Sequence, residues 1–381
     1  MTAKQKIAPL TSLRFLAAFI VMLYHTAPEK LRVNGILPWG NFINISFISV
    51  SFFFTLSGYI LAVVYLQREQ PLDKRRFWIA RFARIYPLFV VALLMGLPDL
   101  FISRIGKYGL KAAILKTSVT MGGNLLMLQA WTGKLRGLNN PVWSLSTETV
   151  FYLLFPYLGW RLWKASSRTV VWGMLLFYLQ GIVLVALALR FQHFFTPRLH
   201  SPFTDEAKFI PIFHVHEFFI GILLARWHMA KSATDVGRER LRAAAPWLAA
   251  SALAIFIVAI YCFPYVHELY FRDGLLLPAS VLAIVAFGSG HPLLDRPFSA
   301  AWFVALGEAS YGLYLIHAPI GRYTELLGIN KSLVFYPIYL AVCVGLSVVG
   351  FYFFEIPARE AILKWAHTRT KETKMVSSIA Q

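Results

Sequence analysis

Long apolar runs dominate the pattern of hydrophobic and polar positions along this chain. A membrane-spanning helix needs about 20 predominantly apolar residues. Runs close to that length cover residues 10–27, 44–66, 85–102, 142–160, 169–189, 209–226, 244–263, 274–289, 302–320 and 332–354. The pattern therefore predicts an all-α, polytopic membrane helical bundle with about ten transmembrane helices.

An eleventh apolar run, Ala112 to Trp131, is weaker than the others. It is interrupted by Lys116, Gly122, Gly123, Asn124 and Gln129. The positive-inside rule favours ten crossings, because that topology places the basic loops at 68–84 and 226–242 on the same side as the basic tail. We therefore predict a re-entrant or interfacial segment near residues 112–131, covered by protein where its backbone is irregular.

Composition supports a membrane protein and argues against several other classes. Of the 381 residues, 58% are hydrophobic and only 14% are charged, which is unusual for a soluble enzyme. The net charge of +19 comes from basic residues between apolar runs, so we expect a lipid bilayer and no nucleic acid as partner. We expect one transmembrane domain over 1–367 and a disordered cytoplasmic tail over 368–381.

The first apolar run carries two ionisable residues, Arg14 and His25. Such residues are costly inside a membrane unless they face a cavity or a partner. Eleven positions separate them, about 1,100° of helical rotation and about 16 Å of rise, so they share one face. A snorkelling anchor at Arg14 and an interfacial His25 remain the structural alternatives.

A basic stretch, DKRRFWIARFARIYPLF, precedes the third run. Arg81 and Arg84 are three residues apart on one side of a helix and could hold phosphates as bidentate donors. Arg76 is a further candidate for this anion site. A topology signal held by anionic lipid is the simpler account of Arg75 and Arg76.

The fourth run begins VWSLSTETVFYLLFP and contains a carboxylate, Glu148, four residues after Ser144. A carboxylate inside an apolar run needs a cationic or hydrogen-bonding partner. We expect Glu148 to lie at the depth of His25 and to pair with it. The alternative is a capping role for Ser144, with Glu148 near an interface.

The ninth run places Ser310, Tyr314 and His317 on one helical face, where they line a channel or form part of an interfacial belt. On depth and facing alone, Trp143, Ser144, Tyr314 and His317 are candidate substrate-binding residues. No metal is expected, because the two histidines of HVHEFF point to opposite helix faces and the two cysteines lie in apolar runs.

Four fragments in this order resemble the membrane acyltransferase 3 family: LTSLRFLAAFIVMLYH, RFARIYP, VWSLSTETVFYLLFP and SYGLYLIH. The likeness covers nearly the whole chain. It implies acyl transfer from acyl-CoA at the cytoplasmic side to carbohydrate at the outer side. It also implies functional roles for Arg14 and His25, for the paired Arg81 and Arg84, and for Glu148.

The chain departs from this resemblance in the sixth run, where members often have an arginine ahead of Pro-Glu. Here the sequence reads His214, Val215, His216, Glu217. The extracytoplasmic esterase-like domain that some members append is also not expected in this chain, which would then complete the transfer itself or pass the product to a partner.

The leading hypothesis is an O-acetyltransferase of the bacterial inner membrane with both termini cytoplasmic. Acetyl-CoA would be the co-substrate, and the acceptor a lipid-linked or polymeric carbohydrate handled with polysaccharide assembly or export partners. His25 would be the general base or a transient acyl carrier, and Glu148 its orienting partner. The alternatives are a transporter or flippase of a lipid-linked sugar and an inert scaffold.

Overall fold

The computed structural model describes residues 3–32, 39–67, 72–199, 203–328 and 334–379, and the regular structure in these ranges is entirely helical. The α-helices are α1 (Ala3–Thr26), α2 (Glu29–Arg32), α3 (Trp39–Ile45), α4 (Ser49–Tyr65), α5 (Lys74–Tyr108), α6 (Leu110–Leu125), α7 (Trp143–Trp163), α8 (Ser167–Leu199), α9 (Phe203–Ala207), α10 (Val215–Lys231), α11 (Asp235–Cys262), α12 (Glu268–Arg272), α13 (Leu277–Gly288), α14 (Pro292–Phe298), α15 (Ala301–Leu326), α16 (Tyr336–Gly350) and α17 (Ile356–Ile379). A π-helical turn, Phe351–Glu355, joins the last two.

Some predicted features reach beyond these ranges. Residues 68–71 of the basic loop, 332–333 of the tenth run and 380–381 of the tail lie outside the described residues. The rest of the predicted tail belongs to α17. The proposed boundary at residue 367 remains a prediction.

Each of the ten predicted runs contains a helix, which confirms the all-α polytopic membrane bundle. Within the described ranges, seven stretches are long and apolar enough to cross a membrane: Ala8–Thr26, Trp39–Tyr65, Lys74–Tyr108, Ser167–Phe194, Asp235–Tyr265, Glu268–Gly288 and Tyr336–Thr368. The other three runs correspond to α7, α10 and α15, which hold buried polar residues in the middle of the bundle. The count of ten crossings remains a prediction.

Side-chain contacts set the directions of the central helices. Thr11 lies beside Gly307 and His25 beside His317, so α1 and α15 run parallel. Tyr311 of α15 donates to Ile85 O of α5 at 2.7 Å, and Tyr323 of α15 donates to Met95 O of α5 at 2.6 Å. Because these contacts follow the same order along both helices, α5 is parallel to α15 and α1. We call the end where these three helices begin the arginine end, and the opposite end the histidine end.

The segment near residues 112–131, predicted to be re-entrant or interfacial, enters the helical bundle and turns back. Helix α6 turns back along α5, with Arg104 donating to Thr117 at 3.3 Å and Tyr86 donating to the Leu125 carbonyl at 3.0 Å. The chain then returns toward the histidine end, because α7 starts beside Tyr314 and runs antiparallel to α5. A complete crossing would have started α7 at the arginine end.

Three buried amides explain how the irregular backbone of this segment is tolerated. Asn124 donates to Leu135 O at 2.7 Å, Gln129 to Val142 O at 3.0 Å and Asn139 to Leu315 O at 2.9 Å. The last carbonyl is available because Pro319, four residues later, has no N–H to bond it. The polar residues that weakened this run as a transmembrane helix therefore satisfy buried backbone groups.

Glycines allow the helices around the polar interior to approach closely. A Cβ at Gly58 of α4 would lie 2.1 Å from Phe218 O of α10, and one at Gly221 would lie 2.0 Å from Thr55 O. At Gly307 the corresponding distance to Thr11 O is 2.0 Å. Small residues at these crossings set the relative positions of α1, α4, α10 and α15.

Candidate active site

A cavity of about 270 Å³ lies among α1, α4, α5, α7 and α15 on the arginine side of the bundle. Its polar lining residues are Thr11, Arg14, Ser57, Tyr65, Arg81, Arg84, Ser144, Glu148, Tyr152, Ser310, Tyr311 and Tyr314. Six of the ten residues singled out from the sequence therefore line one space. His25, His317, Trp143 and Arg76 do not line it.

Three arginines converge on this cavity from two helices. Among the described residues, Arg14 and Arg84 have no hydrogen bond and no ion pair within 4.0 Å. Arg81 donates to Tyr65 OH at 3.1 Å, and its buried Nε has no described partner. The rings of Tyr65, Phe77 and Tyr152 surround its guanidinium group at 5.5–5.9 Å. Guanidinium groups with unused donors in a partly apolar cavity are suited to an anionic ligand.

The carboxylate of Glu148 belongs to this cavity. Its Oε1 accepts hydrogen bonds from Ser57 at 3.0 Å and from Tyr152 at 2.5 Å. It also lies within electrostatic range of Arg14. The half-buried carboxylate is thus stabilised by two hydroxyl donors and a nearby cation.

The expected pairing of Glu148 with His25 is not formed, because the two lie at different depths. His317, which contacts His25, is three residues from Tyr314 on α15, and Tyr314 contacts Ser144, four residues from Glu148 on α7. At 1.5 Å of rise per residue, Glu148 lies about 10 Å closer to the arginine end. The re-entrant loop ending at Asn139 occupies the space at the histidine end, so α7 begins deeper than its sequence suggests.

Two histidines meet beyond the far wall of the cavity. His317 Nε2 lies 3.3 Å from His25 Nδ1, and the ring centroids are 5.2 Å apart. His25 Nδ1 is also 2.9 Å from Val21 O. Arg14 and His25 therefore both face the interior of the bundle, one at each end of the same stripe of α1.

The Ser144 and Tyr314 hydroxyls lie 2.6 Å apart between the cavity and the histidine pair, and Tyr314 donates to Pro141 O at 2.6 Å. Trp143 points away into the core, against Phe54, Phe209 and His214 at 5.1–6.1 Å. Arg76 is 70% exposed and pairs with Asp73 at 3.3 Å. The structure thus separates these two candidates from the cavity.

Comparison with known proteins identifies the family of this chain. A family model described as an acyltransferase domain matches residues 8–352. The chain belongs to the acyltransferase 3 family. It is 26% identical to the acyltransferase MdmB of Streptomyces mycarofaciens over 330 residues, covering 84% of this chain and 80% of MdmB.

Two further relatives of this acyltransferase 3 chain are longer proteins. A putative peptidoglycan O-acetyltransferase, YrhL of Bacillus subtilis, is 26% identical over 92% of this chain and 54% of its own length. The peptidoglycan O-acetyltransferase OatA of Listeria monocytogenes is 25% identical over 94% of this chain and 56% of its own length. The chain spans about half the length of these two relatives. No solved structure matches it significantly.

The sequence interpretation did not assign three residues that bear on the charges of this site. Tyr152 lies one turn after Glu148, so i, i+4 spacing could have identified it. Ser57 gave no comparable signal, because its link to Glu148 is entirely tertiary.

Glu355 is the third of these. It is only 3% exposed, lies in the π-helical turn and is within electrostatic range of Arg14 and Arg84. Its position directly after the last apolar run, 332–354, was the available signal. Three arginines against Glu148 and Glu355 leave one positive charge in the cluster.

The departure from the family pattern at His214 has a structural counterpart. His214 Nδ1 lies 3.3 Å from Asp273 and 3.5 Å from Glu217, and all three side chains are buried. The imidazole thus lies between two carboxylates, a position that a basic side chain stabilises. Within the described ranges no group of His, Cys, Asp or Glu has the arrangement of a metal site.

A charged rim lies in the loops at the histidine end. Arg136 pairs with Glu206 at 3.0 Å, and its pKa is lowered by burial, which this carboxylate only partly offsets. Burial also acts to lower the pKa of Lys208, but hydrogen bonds to Asp205 and Glu268 outweigh it and raise the pKa. Both side chains therefore carry charges that neighbouring carboxylates neutralise.

Proposed function

We propose that this chain is an integral membrane O-acetyltransferase that moves an acetyl group from acetyl-CoA to a hydroxyl of a surface or exported polysaccharide. The observation that carries the proposal is the interior stripe of α1. Arg14 lies at one end of it, beside Arg81 and Arg84 of α5, and the interior-facing His25 lies about 16 Å away along the helix. We place the arginine end and both termini in the cytoplasm of a bacterium, in accordance with the positive-inside rule.

Donor binding is assigned to the arginine side of the cavity. CoA carries several phosphates, and Arg14, Arg81 and Arg84 offer guanidinium donors for charge-assisted hydrogen bonds. The pantetheine arm would extend along α1 toward the histidine end, past the apolar lining contributed by Phe53, Ile60 and Leu61. The acetyl group thereby reaches His25 without crossing the bilayer as a free species.

Proton handling is assigned to His25. The acceptor hydroxyl attacks the thioester carbonyl, its proton moves to the imidazole, the new C–O ester bond forms and the C–S bond breaks. The imidazolium then returns the proton to the departing CoA thiolate. This direct transfer leaves acetylated acceptor and CoA and regenerates neutral His25.

Glu148 has a different role in this proposal from the one expected from sequence. Its hydrogen bonds to Ser57 and Tyr152 fix the wall of the donor cavity, and its charge limits repulsion among the three arginines. We therefore assign Glu148 as a positioning residue of the donor site rather than the partner of His25.

The acceptor is assigned to carbohydrate because the longer relatives are named for peptidoglycan O-acetylation. Ser144 and Tyr314, next to the histidine pair, offer hydroxyls suited to a sugar. Partners in polysaccharide assembly or export would supply the acceptor at the histidine end.

The test uses the purified protein in proteoliposomes with labelled acetyl-CoA. We expect saturable donor binding, release of CoA thiol on addition of a carbohydrate acceptor, and O-acetyl signals in the proton NMR spectrum of cell-surface glycans that disappear when the protein is deleted. Movement of a lipid-linked sugar without CoA dependence would instead support the transporter. Absence of acetyl-CoA binding would overturn the proposal.

A further inference from the structure

We infer that His317 is a positioning residue for His25, holding it in the tautomer whose Nε2 carries the lone pair. This inference rests on the proposed acyl transfer and assigns to His317 the role first expected of Glu148. It differs from the substrate-binding role predicted for His317 from sequence.

The first step is the protonation of His317. Its Nδ1 lies 3.1 Å from Leu313 O, and a carbonyl oxygen can only accept, so Nδ1 carries a hydrogen. The side chain is fully buried, at 0% exposure. The bonds described for its ring go to this carbonyl and to His25, so no carboxylate among them stabilises an imidazolium. His317 is therefore neutral, with its lone pair on Nε2.

The second step is the tautomer of His25. Its Nδ1 lies 2.9 Å from Val21 O, which again requires a hydrogen on that nitrogen. His317 Nε2 lies 3.3 Å from the same nitrogen, close enough for the lone pair of the neutral His317 ring to share this hydrogen. In the opposite arrangement, His317 Nε2–H would donate to an unprotonated His25 Nδ1. The lone pair of that nitrogen would then face the lone pairs of Val21 O, which is unfavourable. Neutral His25 therefore carries its lone pair on Nε2.

The third step is the consequence for proton transfer. When Nε2 takes the proton of the acceptor hydroxyl, Nδ1–H keeps both acceptors, Val21 O and His317 Nε2. They hold the ring orientation and stabilise the imidazolium through a neutral partner rather than a carboxylate. Such an orienting bond fixes which nitrogen serves as base.

The position of His317 is itself fixed by its surroundings. Tyr339 donates to its backbone carbonyl at 2.7 Å, and Asn139 of the re-entrant segment bonds Leu315 O two residues earlier. The Tyr314 ring lies 6.0 Å from the His317 ring. The second histidine is thus held from both neighbouring elements, as an orienting group requires.

The test compares His317→Leu, which has no acceptor, with His317→Gln, whose amide oxygen can accept from His25. For His317→Leu we expect kcat for acetyl transfer to fall about 100-fold, in the range of a lost orienting group, with the KM for acetyl-CoA unchanged. For His317→Gln we expect at least about a tenfold recovery of kcat. His228→Gln is the matched control, since this buried histidine bonds Tyr59 at 2.7 Å away from the cavity lining.

Three results would overturn the inference while leaving the proposed function intact: full kcat in His317→Leu, equal kcat in the Gln and Leu variants, or a loss as large in His228→Gln. Failure of the wild-type protein to transfer acetyl groups would instead count against the proposed function. If His317→Leu does not fold, nitrogen-15 NMR of histidine-labelled wild type decides the tautomer. We expect the His25 signals, identified by their loss in His25→Gln, to show a protonated Nδ1 and a bare Nε2, and the reverse pattern would refute the inference.

Discussion

The hydroxyl of Ser144 lies 2.6 Å from that of Tyr314, and this contact separates the arginine-lined cavity from the His25–His317 pair. Tyr314 also donates to Pro141 O, so α15 is tied to the start of α7 at this level. An acetyl group travelling from the arginines to His25 has to pass this contact.

Tyr314→Phe tests the role of the contact. The variant keeps the ring but loses a hydroxyl bonded to Ser144 and Pro141, so we expect a loss of about 1 kcal/mol in unfolding free energy. We also expect altered kcat with unchanged affinity for acetyl-CoA, because the arginines are untouched. Thermal unfolding in detergent and steady-state kinetics measure the two effects. Weakened donor binding would contradict the assignment of donor phosphates to the arginine side.

Arg84→Gln tests the assignment of the donor site, with Arg76→Gln as its matched control. Arg84 lines the cavity and has no described ion pair, whereas Arg76 is exposed and pairs with Asp73. We expect the Kd for acetyl-CoA to rise at least about tenfold in Arg84→Gln, which is about 1.4 kcal/mol. The control should change it less than about twofold, since surface pairs contribute little. Equal changes in the Kd of the two variants, measured by titration calorimetry, would show that the phosphates bind outside the cavity.

His25→Ala tests the proton-handling residue. We expect loss of acetyl transfer to the uncatalysed level, because no other group in the described interior is assigned as the base. Acetyl-CoA binding and the unfolding temperature should stay near their wild-type values, since the arginines lie about 16 Å away along α1. Near-normal turnover in reconstituted vesicles would eliminate His25 as the base.

Glu148→Gln and Ser57→Ala test the hydrogen-bond partner of the half-buried Glu148 carboxylate. Their side chains share a hydrogen bond of 3.0 Å, so the two changes should be non-additive in unfolding free energy by at least about 0.5 kcal/mol. The pair Glu148→Gln and His25→Ala should be additive, because about 10 Å of depth separates them. Strong coupling between Glu148→Gln and His25→Ala, with none between Glu148→Gln and Ser57→Ala, would support the pairing of Glu148 with His25 that the sequence predicted.

His214→Gln tests the buried cluster beside the site. The change removes the basic group between Asp273 and Glu217, and an uncompensated buried charge costs about 3–5 kcal/mol. We expect a clearly lower unfolding temperature than for His193→Gln, whose side chain is exposed on α8. Equal unfolding temperatures for the two variants would show that His214 does not balance these carboxylates.

Much of this architecture follows from local patterns in the chain. Apolar run length predicted where helices form, and the interruptions at Asn124 and Gln129 predicted a segment that does not cross. The 3.6-residue period placed Arg14 and His25 on one face of α1, and the structure has both facing the interior. Four short motifs identified the family.

What only the tertiary structure decided is how far each helix is shifted along its axis relative to its neighbours. Periodicity predicts the face of a helix on which a residue lies and its position along that helix. It does not predict the axial position of one helix relative to the next. Close packing at Gly58, Gly221 and Gly307, together with the re-entrant loop above α7, sets these shifts. For this reason Glu148 meets Ser57 and Tyr152, and the partner of His25 is His317 from a helix almost three hundred residues away in sequence.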